Sequence, residues 1–149
     1  MKFIKTKYAR VLFKSVSVVY FMLLAYVTFF SRRRGHEDWG FRNNANLYFM
    51  SKLYSYNDLD PKGKFYFIQD ILGNTILFVP FVMSVTFLFP AKKTYRELFF
   101  LMLITTLFIE SLQYIFNVGV FDIDDIVLNL VGGIVGMLLF NYIYTKYIV

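Results

Sequence analysis

The chain has 149 residues, of which 58% are hydrophobic, 21% aromatic and only 17% charged, whereas soluble domains run at about 45–50% apolar and about 25% charged. That balance excludes an ordinary water-soluble globule; 19 Phe and 12 Tyr exclude a disordered chain; and the lack of cysteine excludes disulfides, zinc ribbons, thiol catalysis and Fe–S clusters. The formal net charge of +6 suits nucleic acid or anionic lipid, and the position of the charges decides for lipid. At this length residues 1–149 read as a single domain.

In chain order, a basic flank (Lys2, Lys5, Lys7, Arg10) precedes a first apolar span over residues 11–30, close to the roughly 20 residues that cross a bilayer. Lys14 lies near enough to its end to bend its ammonium to the interface. Phe29-Phe30-Ser31-Arg32 offers no small-x-small cleavage site and an arginine triplet follows, so the segment reads as an uncleaved signal anchor. The first loop, residues 31–70, is rich in aromatics suited to the headgroup region. Leu47, Met50, Leu53 and Tyr54 follow helical spacing, which predicts a short interfacial helix near residues 46–56. Asp60-Pro61 has the form of an N-cap followed by the first helical position, opening a helix that runs into span two, residues 71–89. Pro80 falls mid-span and predicts a kink. Span three covers residues 98–116 and span four residues 126–144, where Gly132, Gly133 and Gly136 make a strip permitting close helix approach. The expected fold is all-α: a polytopic membrane bundle of four helices with a partly helical interfacial first loop.

Lys and Arg bias sets the direction of insertion. With both termini inside, the inner flanks hold nine basic residues and the outer ones seven, and the loop between spans three and four is purely acidic. The expected orientation is therefore N and C termini in the cytoplasm. His36 stands alone in a loop and predicts no metal site, no cofactor is expected, and nothing resembles a nucleic-acid reader.

The polar residues within the spans carry the functional signal, because an ionisable group at mid-bilayer costs at least about 2.5–3.5 kcal/mol and normally faces protein or water. Asp70 and Asn74 share a helix face at i, i+4; Glu110 and Gln113 share one at i, i+3; Asp125 and Asn129 repeat the i, i+4 spacing, with Asp122 just before them. The first and last pairs begin spans two and four. The middle pair lies near the end of span three, with Glu110 about 9 Å before Phe116 at 1.5 Å per residue. Since successive helices alternate direction, all three pairs occupy one leaflet, the outer one in the expected orientation. Acidic groups crowded at low dielectric cannot all ionise. Such a cluster can act as acid and base, bind a cation or accept hydrogen bonds from a polar headgroup, with Arg32, Arg33, Arg34 or Arg42 available as counter-charges. For Asn74 and Asn129 alone, interhelical glue at about 0.6 kcal/mol per polar pair explains them as well, whereas the desolvation cost of Glu110 with Asp125 favours function.

Two stretches stand out: Asn74-x-x-Leu77-Phe78-x-Pro80-Phe81, and Glu110-x-x-Gln113 followed by Phe121-Asp122-Ile123-Asp124-Asp125, Asn129, Gly132 and Gly136. In this combination they resemble the VanZ-like family of bacterial membrane proteins. Val82 stands where the family commonly has glycine, and Gly119 where it commonly has arginine. The resemblance implies a multi-span protein of the bacterial plasma membrane associated with lower teicoplanin susceptibility; it supplies no defined reaction. The preferred expectation is a non-enzymatic protein whose outer-leaflet polar cleft (Asp70, Asn74, Glu110, Gln113, Asp122, Asp125, Asn129) engages an amphiphile, either a lipoglycopeptide or a lipid-linked wall precursor, with membrane lipid around it. The alternatives are an intramembrane acid–base hydrolase or transferase on an envelope lipid, and a small transporter with a proton-linked Glu110.

Overall fold

The computed structural model describes residues 7–31, 45–54, 56–89, 93–116 and 118–147. Among these residues six α-helices follow in order: α1 (Lys7–Tyr26), α2 (Ser51–Tyr54), α3 (Pro61–Phe78), α4 (Phe81–Leu88), α5 (Tyr95–Ile115) and α6 (Ile123–Tyr147). A π-helical turn, Val27–Ser31, continues α1, and a 3₁₀ turn, Tyr56–Asp58, follows α2. Four stretches are long and apolar enough to cross a membrane: Lys7–Phe30, Pro61–Leu88, Tyr95–Ile115 and Ile123–Ile143. Among the described residues the regular structure is all helical, with four helical stretches able to span a membrane.

Local chemistry sets the helix limits. Asp60 caps α3 by accepting from Gly63 N at 2.7 Å, with Pro61 in the first turn, where its missing N–H removes nothing. Thr94 and Glu97 form a reciprocal capping box at the start of α5, Glu97 N donating to Thr94 Oγ1 and Thr94 N donating to Glu97 Oε2. Pro80 divides the second span: α3 stops at Phe78 and α4 resumes at Phe81, since proline has no N–H to give to the turn before it.

Helix α6 is the axis of the bundle and packs on α3, α4 and α5, while α1 packs on α4. Two glycines fix the α3–α6 register. A Cβ on Gly132 would collide with the backbone carbonyl of Thr75, and one on Gly136 with that of Val79, so the two parallel helices touch backbone to backbone over a full turn. Against α5 the contacts run antiparallel: Asn129 meets Thr106, and a side chain at Gly133 would enter the space of Met102. The apolar core (Tyr20, Leu24, Phe78, Phe81, Val82, Val85, Leu98, Met102 and Ile109) fills mainly the half of the bundle around α4. Phe13 stacks on Phe87 with centroids 4.6 Å apart, and Phe21 meets Phe81 edge-on at 5.8 Å, running α1 antiparallel to α4.

The first loop departs from the helix expected near residues 46–56. Asn46 is not helical but forms an isolated parallel bridge with Asp122, and helix occupies only Ser51–Tyr54. The cause is local: Met50 takes a left-handed conformation with φ 59, through which no right-handed helix continues.

Candidate functional site

At the end of the bundle away from the apolar core, the buried side chains become polar. Glu110 is 1% exposed and Gln113 0%, while Asn74, Asp122, Asp125 and Asn129 are also buried; Asp70 is half-buried on α3. All seven side chains singled out by sequence thus fall on α3, on α5 or at the start of α6.

The α5–α6 register sets their heights. Pairing Thr106 with Asn129 and Met102 with Gly133 brings Glu110 level with Asp125, and Gln113 level with Asp122. The α3–α6 register, Thr75 beside Gly132 and Val79 beside Gly136, puts Asp70 at a height between Asp125 and Asn129, with Asn74 about one turn further along. The carboxylates and amides of three helices therefore share one layer of the bundle.

A hydrogen bond joins α5 directly to the head of α6. Glu110 Oε2 accepts from the backbone N–H of Asp122 at 3.2 Å. Asp122 Oδ1 in turn accepts from Asp124 N at 2.9 Å, which caps α6, and from Asn46 Nδ2 at 3.1 Å. The first N–H groups of a helix have no intrahelical acceptor, and acidic residues there are favoured by the helix dipole. Glu110, Asp122 and Asp124 therefore perform a structural task at the start of α6, and that task accounts for part of the acidic cluster. Asp125, one residue further, is buried at the height of Glu110.

The amides separate from one another. Asn129 Nδ2 donates to Thr106 Oγ1 at 2.8 Å, whereas Gln113 Nε2 donates to the Thr28 carbonyl at 2.9 Å, in the π-helical turn that ends α1. Gln113 thus ties α5 to α1 rather than to α6. Among the described residues the buried Gln113 Oε1 and Asn129 Oδ1 have no hydrogen-bond donor. A buried acceptor left so costs about 1–3 kcal/mol, and both oxygens suit a donor-bearing group entering the layer. Gly119 lies against the Gln113 side chain, since a Cβ there would stand 3.3 Å from Gln113 Cβ.

Three contributors escaped the sequence reading. Thr106 completes a stripe with Glu110 and Gln113 at i, i+4 and i+7, a spacing visible in the sequence. Asn46 and Thr28 come from outside the paired spans and carry no sequence signal of their own. The proposed counter-charges Arg32, Arg33, Arg34 and Arg42, together with His36, lie outside the described residues. Among the described residues no group of three or more His, Asp or Glu could hold a metal ion.

A family model described as VanZ/LLP1 matches residues 17–144. Protein VanZ of Enterococcus faecium is 32% identical over 73 residues, which is 49% of this chain and 45% of that protein, so the match spans less than half of the relative's length. No solved structure matches the chain.

Proposed function

Because the chain belongs to the VanZ/LLP1 family, its model matching residues 17–144, we propose that it is a bacterial plasma-membrane protein that lowers susceptibility to teicoplanin-type lipoglycopeptides. Its buried polar layer would hold the head of an amphiphile, either the antibiotic itself or a lipid-linked wall precursor, while the acyl chain stays against the apolar helix faces. The observation that carries this reading is Glu110, 1% exposed, level with buried Asp125 and linked to the head of α6, in the same layer as the Gln113 and Asn129 amide oxygens that lack donors among the described residues. Interhelical glue alone does not require a carboxylic acid within a span, where an ionisable group costs at least about 2.5–3.5 kcal/mol. A ligand in the layer also needs few convergent polar groups within an apolar wall.

The test is Glu110→Gln and Asp125→Asn in a strain protected from teicoplanin by this chain. Each substitution keeps the shape, and the amide introduced at position 110 retains an oxygen that can accept from Asp122 N. Both variants are expected to lose protection at unchanged membrane levels. Full protection at normal levels rejects the site. Turnover of a lipid-linked substrate by the purified protein, or flux in vesicles that follows a proton gradient, would replace binding with the hydrolase or transporter reading.

A further inference from the structure

Among its described residues the first loop crosses the head of α6 and is fastened there at two points, Asn46 and Met50. Asn46 donates its backbone N–H to Phe121 O at 2.8 Å, and its carbonyl accepts from Ile123 N at 3.1 Å. Its Nδ2 holds Asp122 Oδ1 at 3.1 Å. Four residues later Met50 N donates to Asp124 Oδ1 at 2.7 Å. Between the two points Tyr48 N turns back to Asn46 Oδ1 at 3.3 Å, and beyond them Leu53 N and Tyr54 N both return to Met50 O. Met50 holds its left-handed φ of 59 within this network, a conformation that costs a non-glycine residue about 1–2 kcal/mol and persists only where its surroundings fix it.

What this strap presents outward is apolar. Asn46 is buried, yet Leu47, Tyr48, Phe49, Leu53 and Tyr54 are between 52% and 81% exposed. Facing water, such a patch would forgo about 25 cal/mol for every Å² of apolar surface. The fastening residues adjoin Ile123, where the fourth stretch able to cross a membrane begins, so in a bilayer the strap would fall near the edge of the hydrocarbon. The exposed stripe of α3 (Phe65, Ile68, Leu72, Ile76) begins shortly after the strap and continues along the second span. Tyrosines beside aliphatic side chains are the composition that settles among lipid headgroups.

We propose that residues 47–54 form a strap seated in the headgroup layer of the bilayer, and that Asn46 couples this lipid contact to Asp122, as a positioning residue for the acidic head of α6. The partner is the lipid surface itself, so this inference does not depend on the amphiphile reading.

The chain's lack of cysteine makes the test direct. Single variants Tyr48→Cys, Leu53→Cys, Ile68→Cys and Lys7→Cys are spin-labelled in the full chain and reconstituted in phosphatidylcholine–phosphatidylglycerol vesicles. Collision rates are then read with oxygen, which concentrates in lipid, and with a neutral nickel chelate, which stays in water. Positions 48 and 53 are expected to show an oxygen-to-nickel ratio near that of position 68, and roughly fivefold above that of position 7, as interfacial burial requires. Adding Asn46→Ala is expected to raise nickel access at position 48 about threefold with position 68 unchanged, because three of the fastening bonds run through Asn46 and its side-chain one is removed. Nickel access at positions 48 and 53 equal to that at position 7 overturns the strap. So does low access to both reagents with spin–spin broadening, which would mean that a second copy of the chain covers the patch. An unchanged ratio at position 48 on adding Asn46→Ala overturns the positioning role.

Discussion

Asn129 gives its amide N–H to the Thr106 hydroxyl at 2.8 Å and keeps a buried Oδ1 that no donor reaches among the described residues. The two halves of this one side chain separate packing from binding. Thr106→Val removes the packing bond and leaves Asn129 Oδ1 in place, and Asn129→Leu removes both. In a double-mutant cycle for unfolding, the pair is expected to couple by about 0.6 kcal/mol, the usual value for polar contacts between membrane helices. Teicoplanin protection is expected to survive Thr106→Val and to fail with Asn129→Leu. Equal loss in both would reduce Asn129 to a helix fastener. At this scale the sequence exposed which polar side chains are buried but not their partners. Asn129 and Gln113 were legible because an amide in an apolar span needs a reason. That Gln113 turns to Thr28, 85 positions away, depends on how α1 ends and has no periodicity to reveal it.

Helices show the same division more sharply. The Asp60-Pro61 start of α3 and the break at Pro80 follow from one residue's covalent geometry, so both could be read directly. The glycine strip on α6 was legible as a close-approach surface; its partner α3, and the match of Gly132 to Thr75 and Gly136 to Val79, required the fold. This contact sets the height of Asp70 and Asn74 against Asp125 and Asn129, which gives it a consequence beyond packing. Gly136→Ala would drive a methyl group into the Val79 carbonyl, a backbone atom beside the Pro80 break that has no side-chain rotamer to yield. The expected cost is about 1–3 kcal/mol, read as a lower thermal midpoint of the purified protein. Gly73, with nothing within 4 Å of a Cβ, is the control, and Gly73→Ala is expected to leave the midpoint unchanged or raise it. A fall as large at position 73 would dissolve the proposed register. The first loop was the opposite case: its helical spacing was real, but the bridge from Asn46 to Asp122 prevailed over a pattern that Met50 interrupts.

For the whole molecule, the decisive asymmetry is between its two ends. Four spans bring both termini to one side, and the polar layer lies at the other, where α1 ends, α3 and α6 begin, and α5 ends. Alternating direction fixes that arrangement whichever way the bundle is inserted; the bilayer sees only the basic flanks. Lys7, Arg10 and Lys14 mark the end of α1 remote from the layer, and Lys93 and Arg96 mark the turn into α5 on that same side. Each Lys or Arg near a bilayer surface is favoured by about 1 kcal/mol at an anionic cytoplasmic leaflet, and with nine basic residues on this side against seven on the other, this end is expected inside and the acidic head of α6 outside. A cysteine at Asn57, in the 3₁₀ turn between α2 and α3, should then react with an impermeant maleimide in intact cells. One at Tyr8, which is 87% exposed near the start of α1, should react only after lysis. The reversed result would move Glu110 and Asp125 to the inner leaflet. A lipoglycopeptide arriving from outside could not meet them there, and a lipid-linked precursor on the cytoplasmic face would become the amphiphile to test.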